Sequence, residues 1–155
     1  FGVITPGKDR TLILAEQITD KAIIARSILF QRLSLHICAC GKAYLATLND
    51  QQLKAALSKD DMVRFTEYTP ISLDAIKEQL MRFRKLGYTL SKDEFSIGLS
   101  AMASGIRDAE DKFAGAIIIV GPSFRFTDKN IKDWGKLLLG TTSRLSLEFK
   151  AKGVV

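Results

Sequence analysis

Apolar positions in the first part of the chain are dense and β-branched, and their period changes twice before the C-terminus. Thr11-Leu12-Ile13-Leu14-Ala15-Glu16-Gln17-Ile18 and Ala22-Ile23-Ile24-Ala25-Arg26-Ser27-Ile28 flank the polar triplet Thr19-Asp20-Lys21, the pattern of a β-hairpin. Phe1 to Thr5 reads as an earlier strand, set off by the turn residues Pro6-Gly7-Lys8-Asp9. The spacing then becomes helical. Ala39 to Leu48 is small at its start and apolar later. Asn49, with Gln52 three residues on, makes a capping box for a second helix that buries Leu53, Ala56 and Leu57. Ser72 caps a third, where Leu73, Ile76, Leu80 and Phe83 recur at three- and four-residue steps until Gly87. Lys77, Glu78, Arg82 and Lys85 are its solvated face.

Strand patterns return with Tyr88 to Leu90, Leu99 to Arg107 and Phe113 to Val120, the last two joined by the acidic turn Asp108-Ala109-Glu110-Asp111. Ala116-Ile117-Ile118-Ile119-Val120 is apolar throughout, as a central strand covered on both faces would be. Gly121-Pro122 is expected to end it. Thr127 caps a final helix over Asp128 to Glu148, roughly 30 Å long at 1.5 Å per residue, with Ile131, Trp134, Leu138 and Leu145 on one stripe. Strands, helices, strands and a helix predict an α+β fold, an antiparallel sheet flanked by helices.

Composition changes this picture little. With 46% apolar and 26% charged residues, the chain has an ordinary globular balance and one domain's length. No apolar run is long enough to span a bilayer as a helix. The start, Phe1-Gly2-Val3-Ile4, has no basic segment before it and soon meets Pro6, unlike a signal peptide. It also lacks an initiator Met, as a piece of a longer protein would. Cys38 and Cys40 are too close for a relaxed mutual disulfide, which fits a reducing cytoplasm. The net charge of +6 raises nucleic acid as a partner, but the basic residues are scattered beside acids, as in Lys59-Asp60-Asp61. Arg82, Arg84 and Lys85 cluster at a helix end, where they complement the dipole, and no aromatic platform accompanies them.

Candidate chemistry is sparse. His36-Ile37-Cys38-Ala39-Cys40 offers potential metal ligands, but His-x-Cys-x-Cys matches none of the usual zinc spacings and lacks a fourth ligand; small buried thiols at a strand-to-helix junction are the plainer reading. A Cys–His nucleophile pair lacks an orienting group. Gly41-Lys42 resembles the end of a phosphate loop, but His36 stands where the first Gly belongs and Ala43 replaces Ser or Thr. Asp60-Asp61 and Asp93-Glu94 read as solvated turn acids. No constellation supports catalysis, and none calls for a metal or cofactor.

Four segments in order carry a family likeness. Leu35-His36 through Gly41-Lys42-Ala43-Tyr44-Leu45-Ala46 is the first; Tyr68-Thr69-Pro70 before a helix ending Arg84-Lys85-Leu86-Gly87-Tyr88 is the second. Asp93-Glu94-Phe95-Ser96-Ile97-Gly98-Leu99 leading into Ala101-Met102-Ala103-Ser104, and Gly121-Pro122-Ser123-Phe124-Arg125-Phe126-Thr127, complete the set. Together they resemble the effector-binding domain of IclR-family bacterial transcriptional regulators. The resemblance implies a GAF-like curved antiparallel sheet flanked by helices, with residues 1–155 forming a single effector-binding domain. The family's N-terminal winged helix-turn-helix, through which operator DNA is bound, is absent from this chain. It further implies a small-molecule effector, often an organic acid or aromatic compound, and a homodimer or homotetramer, with no membrane partner.

The family's ligand positions fall on Ala39 and Cys40, a backbone-donor turn at a helix start suited to a carboxylate, and on Ser91, Leu99, Ala101, Ile118 and Val120. Relatives that bind small oxo-acids place aspartate at Ser91, cysteine at Ala101, and serines at Ile118 and Val120. Those departures remove polar partners that a small acid needs, so the expected effector is mostly apolar or aromatic. Two alternatives stay open: these side chains are plain core, or the chain is an unrelated GAF- or PAS-like signalling or oligomerisation module without an effector.

Overall fold

The computed structural model describes residues 1–4, 9–23, 25–58 and 62–153. Its strands are β1 (Gly2–Ile4), β2 (Arg10–Ile13), β3 (Arg32–Ser34), β4 (Thr89–Lys92), β5 (Leu99–Arg107) and β6 (Phe113–Pro122). They form one six-stranded sheet in the order β3-β2-β1-β6-β5-β4, and every pairing is antiparallel. Helices α1 (Ala39–Leu45), α2 (Asp50–Ser58), α3 (Leu73–Leu86) and α4 (Asp128–Lys152) complete an α+β fold. The sheet separates two packed layers. On one face α1 lies against Ala103 and Ala116, with α2 and α3 behind it; on the other α4 packs Leu138 against Met102 and Phe126.

The helix ends obey the signals in the sequence. Asn49 Oδ1 accepts from Gln52 N while Gln52 Oε1 accepts from Asn49 N, a reciprocal capping box. Ser72 Oγ accepts from Ala75 N to open α3, and Gly87, at φ 77°, closes it in the left-handed region that glycine enters without strain. Thr127 Oγ1 accepts from Asn130 N at the start of α4. The buried stripe of α4 includes Leu138 and Thr142, with Ile131, Trp134 and Leu145 half-buried beside it.

The largest departure from the sequence reading is the expected hairpin over residues 11–18 and 22–28. Among the described residues there, only Arg10–Ile13 is strand, and the chain is next in the sheet where Arg32–Ser34 pairs with β2; Ile24 lies outside the described residues. Neither apolar run has a second packed face to satisfy: Ile18 and Ile23 stay exposed, and the run after Ile13 is solvated through Lys21. What returns the chain is a turn at Leu29–Phe30, with Phe30 N donating to Ile13 O at 2.8 Å. Smaller differences are that α1 stops at Leu45 rather than Leu48, β4 begins at Thr89, and β6 continues through Pro122. Pro122 is tolerated opposite Leu99 at the end of the ladder, where a missing N–H costs no interior bond. Nor is β6 fully covered: Ile117 to Val120 are only half-buried, and among the described residues β1 pairs with β6 at Gly2–Ala116. The turn at Pro6–Lys8 and the Asp60-Asp61 pair lie outside the described residues.

Candidate functional site

Strand register places the sequence-selected positions on one face. Ser91 pairs with Ala101, and Ala101 with Val120; one step along, Thr89 pairs with Ala103, and Ala103 with Ile118. Side chains alternate along strands, so these two rows project from the same side, toward α1. The alanines on β5 let α1 approach closely, while Gly41 lets the helix pass the backbone of Leu35. A Cβ there would stand 2.5 Å from the carbonyl oxygen of Leu35.

Between α1 and these rows lies a small cavity of about 40 Å³, lined by Ala39, Ser91, Leu99, Ala101, Ile118 and Val120 together with Ile28, Ile37 and Phe95. Cys40 does not line it. Its sulfur packs beneath the β1–β6 seam, beside Ile118 and the α-carbon of Gly2. Ile28, Ile118 and Val120 also wall a larger space of about 450 Å³, roofed by residues 15–19 and 25–28. The excursion that replaced the expected hairpin is therefore what makes room here. Wider grooves of about 550 and 700 Å³ run along α4 and beside the β5–β6 turn. They hold none of the selected positions.

Sequence reasoning missed the most unusual polar group of the fold. Lys42 is fully buried and pairs with Glu94, which is also buried. Glu94 Oε1 accepts from Gln79 Nε2 at 3.1 Å, its Oε2 accepts from Ser91 Oγ at 3.2 Å, and its carbonyl accepts from Thr69 Oγ1 at 2.7 Å. Burial pushes the Lys42 ammonium below its ordinary value, and the Glu94 carboxylate opposes that shift. The expectation of solvated turn acids at Asp93-Glu94 is thus overturned. Glu94 turns inward to neutralise Lys42, and Asp93 Oδ1 accepts from Gly98 N and Ser123 Oγ. The hint available in the sequence was a lysine inside an otherwise small and apolar helix.

The His36-x-Cys38-x-Cys40 group does not converge. His36 is buried with Nε2 at 3.1 Å from Val63 O, and Cys40 points to the β1–β6 seam. Among the described residues no three His, Cys, Asp or Glu side chains are placed to share a metal ion. Burial pushes both thiols up, Cys40 most strongly, so neither is a ready nucleophile.

Residues 5–147 match the family model for the bacterial transcriptional regulator IclR C-terminal region. The chain belongs to this IclR C-terminal family. It is 32% identical over 135 residues to the HTH-type transcriptional repressor AllR of Escherichia coli K12, a match covering 86% of this chain and 50% of AllR. The chain therefore spans about half the length of the curated relatives it matches. Its fold superposes on the C-terminal domain of the E. coli transcriptional regulator KdgR with a TM-score of 0.82 at 22% identity, covering 96% of this chain and 85% of that one. The inducer-binding domain of PobR from Acinetobacter, a double mutant in complex with 3-hydroxybenzoic acid, gives 0.79 at 22% identity, with coverage of 90% and 82%. The IclR family and these relatives are transcriptional regulators rather than enzymes. No described helix is long and apolar enough to cross a membrane.

Proposed function

We propose that this IclR-family chain is the sensing domain of a transcription regulator, holding a mostly apolar or aromatic organic acid between α1 and the β4–β5–β6 face. The observation that carries the reading is convergence: Ala39, Ser91, Leu99, Ala101, Ile118 and Val120, chosen from the sequence, wall one cavity. The larger space beyond Ile118 and Val120 takes the body of the effector. Pockets of this kind are apolar with a few placed polar groups. The carboxylate takes a donor from the backbone at Ala39, where α1 begins against the cavity, and apolar area on the rest of the ligand contributes roughly 25 cal/mol per Å² buried. That an inducer-binding domain of the same fold is known with an aromatic hydroxy-acid gives further support.

In the whole regulator, residues 1–155 act as the single effector domain. An N-terminal winged helix-turn-helix reads the operator, and self-association couples the two in a homodimer or homotetramer. The test is a thermal-shift panel of small oxo-acids against aromatic and alkyl carboxylates, repeated on Ile118→Ser and Ala101→Asp. At a hundredfold excess over its dissociation constant a true effector adds about 2.7 kcal/mol, a melting shift of several degrees. Shifts from small acids alone would refute an apolar pocket. No shift from either class, with both variants merely less stable, would assign Ile118 and Ala101 to the core.

A further inference from the structure

The Ser91 hydroxyl on the cavity wall has no hydrogen left to give. Ser91 is buried, and its Oγ lies 2.8 Å from Ile37 O and 3.2 Å from Glu94 Oε2. Both neighbours are acceptors only, the first a carbonyl and the second a carboxylate, so the single Ser91 hydrogen is committed to one of them. Whichever it serves, what remains toward the cavity is a lone pair, with the other acceptor close behind. Ser100 also borders the cavity, but strand alternation turns its hydroxyl to the other face of β5, toward Ser123. Ser123 Oγ gives its hydrogen to Asp93 Oδ1 at 2.5 Å, so in the 2.8 Å contact between Ser100 and Ser123 the hydrogen must come from Ser100.

We infer that the effector presents a hydrogen-bond donor to Ser91, so that the pocket selects hydroxy- or amino-bearing acids over their oxo, ether and unsubstituted counterparts. The inference rests on the effector reading above and adds the polarity of the ligand. A keto or ether oxygen brought to this wall would lose its water and meet lone pairs, an unpaired polar burial. A hydroxyl or N–H turned to Ser91 recovers that loss. The Lys42–Glu94 pair fixes this wall in place: Lys42 Nζ donates to Glu94 Oε2, the same oxygen that lies against Ser91 Oγ.

The experiment is calorimetric titration of the full chain with two matched series. One is α-hydroxyisocaproate, α-ketoisocaproate and isocaproate; the other is para-hydroxyphenylacetate, its methyl ether and phenylacetate. The first carries the donor beside the carboxylate and the second at the far end. The expected result is that in at least one series the hydroxyl member binds about tenfold more tightly than both counterparts. Ser91→Ala should reduce that preference below threefold, while Ser91→Thr, which keeps the hydroxyl, should retain it. Binding without a donor preference in the native chain overturns the inference and leaves the effector reading in place; that arm needs no variant to fold. A preference that survives in folded Ser91→Ala overturns it as well. If no acid of either series binds, the effector reading itself fails and this inference falls with it.

Discussion

Replacing Glu94 by alanine isolates the buried Lys42–Glu94 pair, and the structure sets the size of the effect. The Lys42 side chain is 0% exposed and that of Glu94 is 5% exposed, so neither charge is shared with solvent. Removing one member of such a pair strands the other, at a cost of about 3–5 kcal/mol. The Gln79 and Ser91 donors on the carboxylate lose their acceptor at the same time. Lys42, already held below its ordinary value by burial, can shed its proton and relieve part of the penalty, which places the loss toward the lower end. At about 2–4 °C per kcal/mol for a domain of this size, the melting temperature should fall by about 6–12 °C. The assay is urea unfolding followed by the fluorescence of Trp134, the single tryptophan, packed edge-on against Phe126 at 5.1 Å. The double variant Lys42→Met, Glu94→Leu should be more stable than the sum of the single losses implies, by about 2 kcal/mol, because no charge is then left unpaired. A Glu94→Ala loss under about 1 kcal/mol, or strict additivity in the double variant, would refute a strongly coupled buried pair.

Three further outcomes are expected. Gly41→Ala should destabilise by about 3 kcal/mol in the same urea assay, since the new Cβ meets the backbone of Leu35 at 2.5–2.6 Å and neither segment can yield cheaply. Arg84→Ala should cost about 1 kcal/mol, and Arg84→Lys should not restore it, because Nε and Nη2 bond Ala46 O and Leu48 O at once, a fork that lysine lacks. Above pH 9.0 the native chain should lose stability relative to Cys40→Ala. Burial raises the folded thiol above that ordinary value, so its contribution is intact below it and is lost as pH rises and the unfolded thiol ionises. The relative slope should approach about 1.4 kcal/mol per pH unit, with Lys42 acting the opposite way but equally in both chains; parallel stability curves would contradict a buried Cys40.

Much of this fold is legible because local signals and packing agree. The capping box at Asn49 and Gln52, the Ser72 and Gly87 ends of α3 and the Leu99–Arg107 strand all follow from side chains that satisfy their own neighbours. The segment 14–31 misled because branched apolar residues signal a strand only if a sheet position and a covering layer exist for them. Here β3 takes the place beside β2, and Ile18 and Ile23 find no cover. The cavity wall was readable in part. Family likeness picked out Ala39, Ser91, Leu99, Ala101, Ile118 and Val120, and strand register explains why the β-strand members among them share a face. Cys40 was chosen with Ala39 as the family's backbone-donor turn; its side chain turns to the β1–β6 seam, and its residue does not border the cavity. Glu94 escaped notice because a lysine and a glutamate 52 residues apart carry no local sign of pairing; only tertiary packing brings α1 against the β4–β5 turn.

The most direct test of the account is where a bound acid acts on the chain. Backbone amide shifts of isotopically labelled protein, followed during titration with para-hydroxyphenylacetate, report that position residue by residue. The account predicts the largest changes at Ala39, Ser91, Leu99, Ala101, Ile118 and Val120, with smaller ones at Ile28 and across residues 15–19 that roof the adjoining space. Changes confined to the groove beside α4, at Gly105, Leu139 and Ser143, would contradict it.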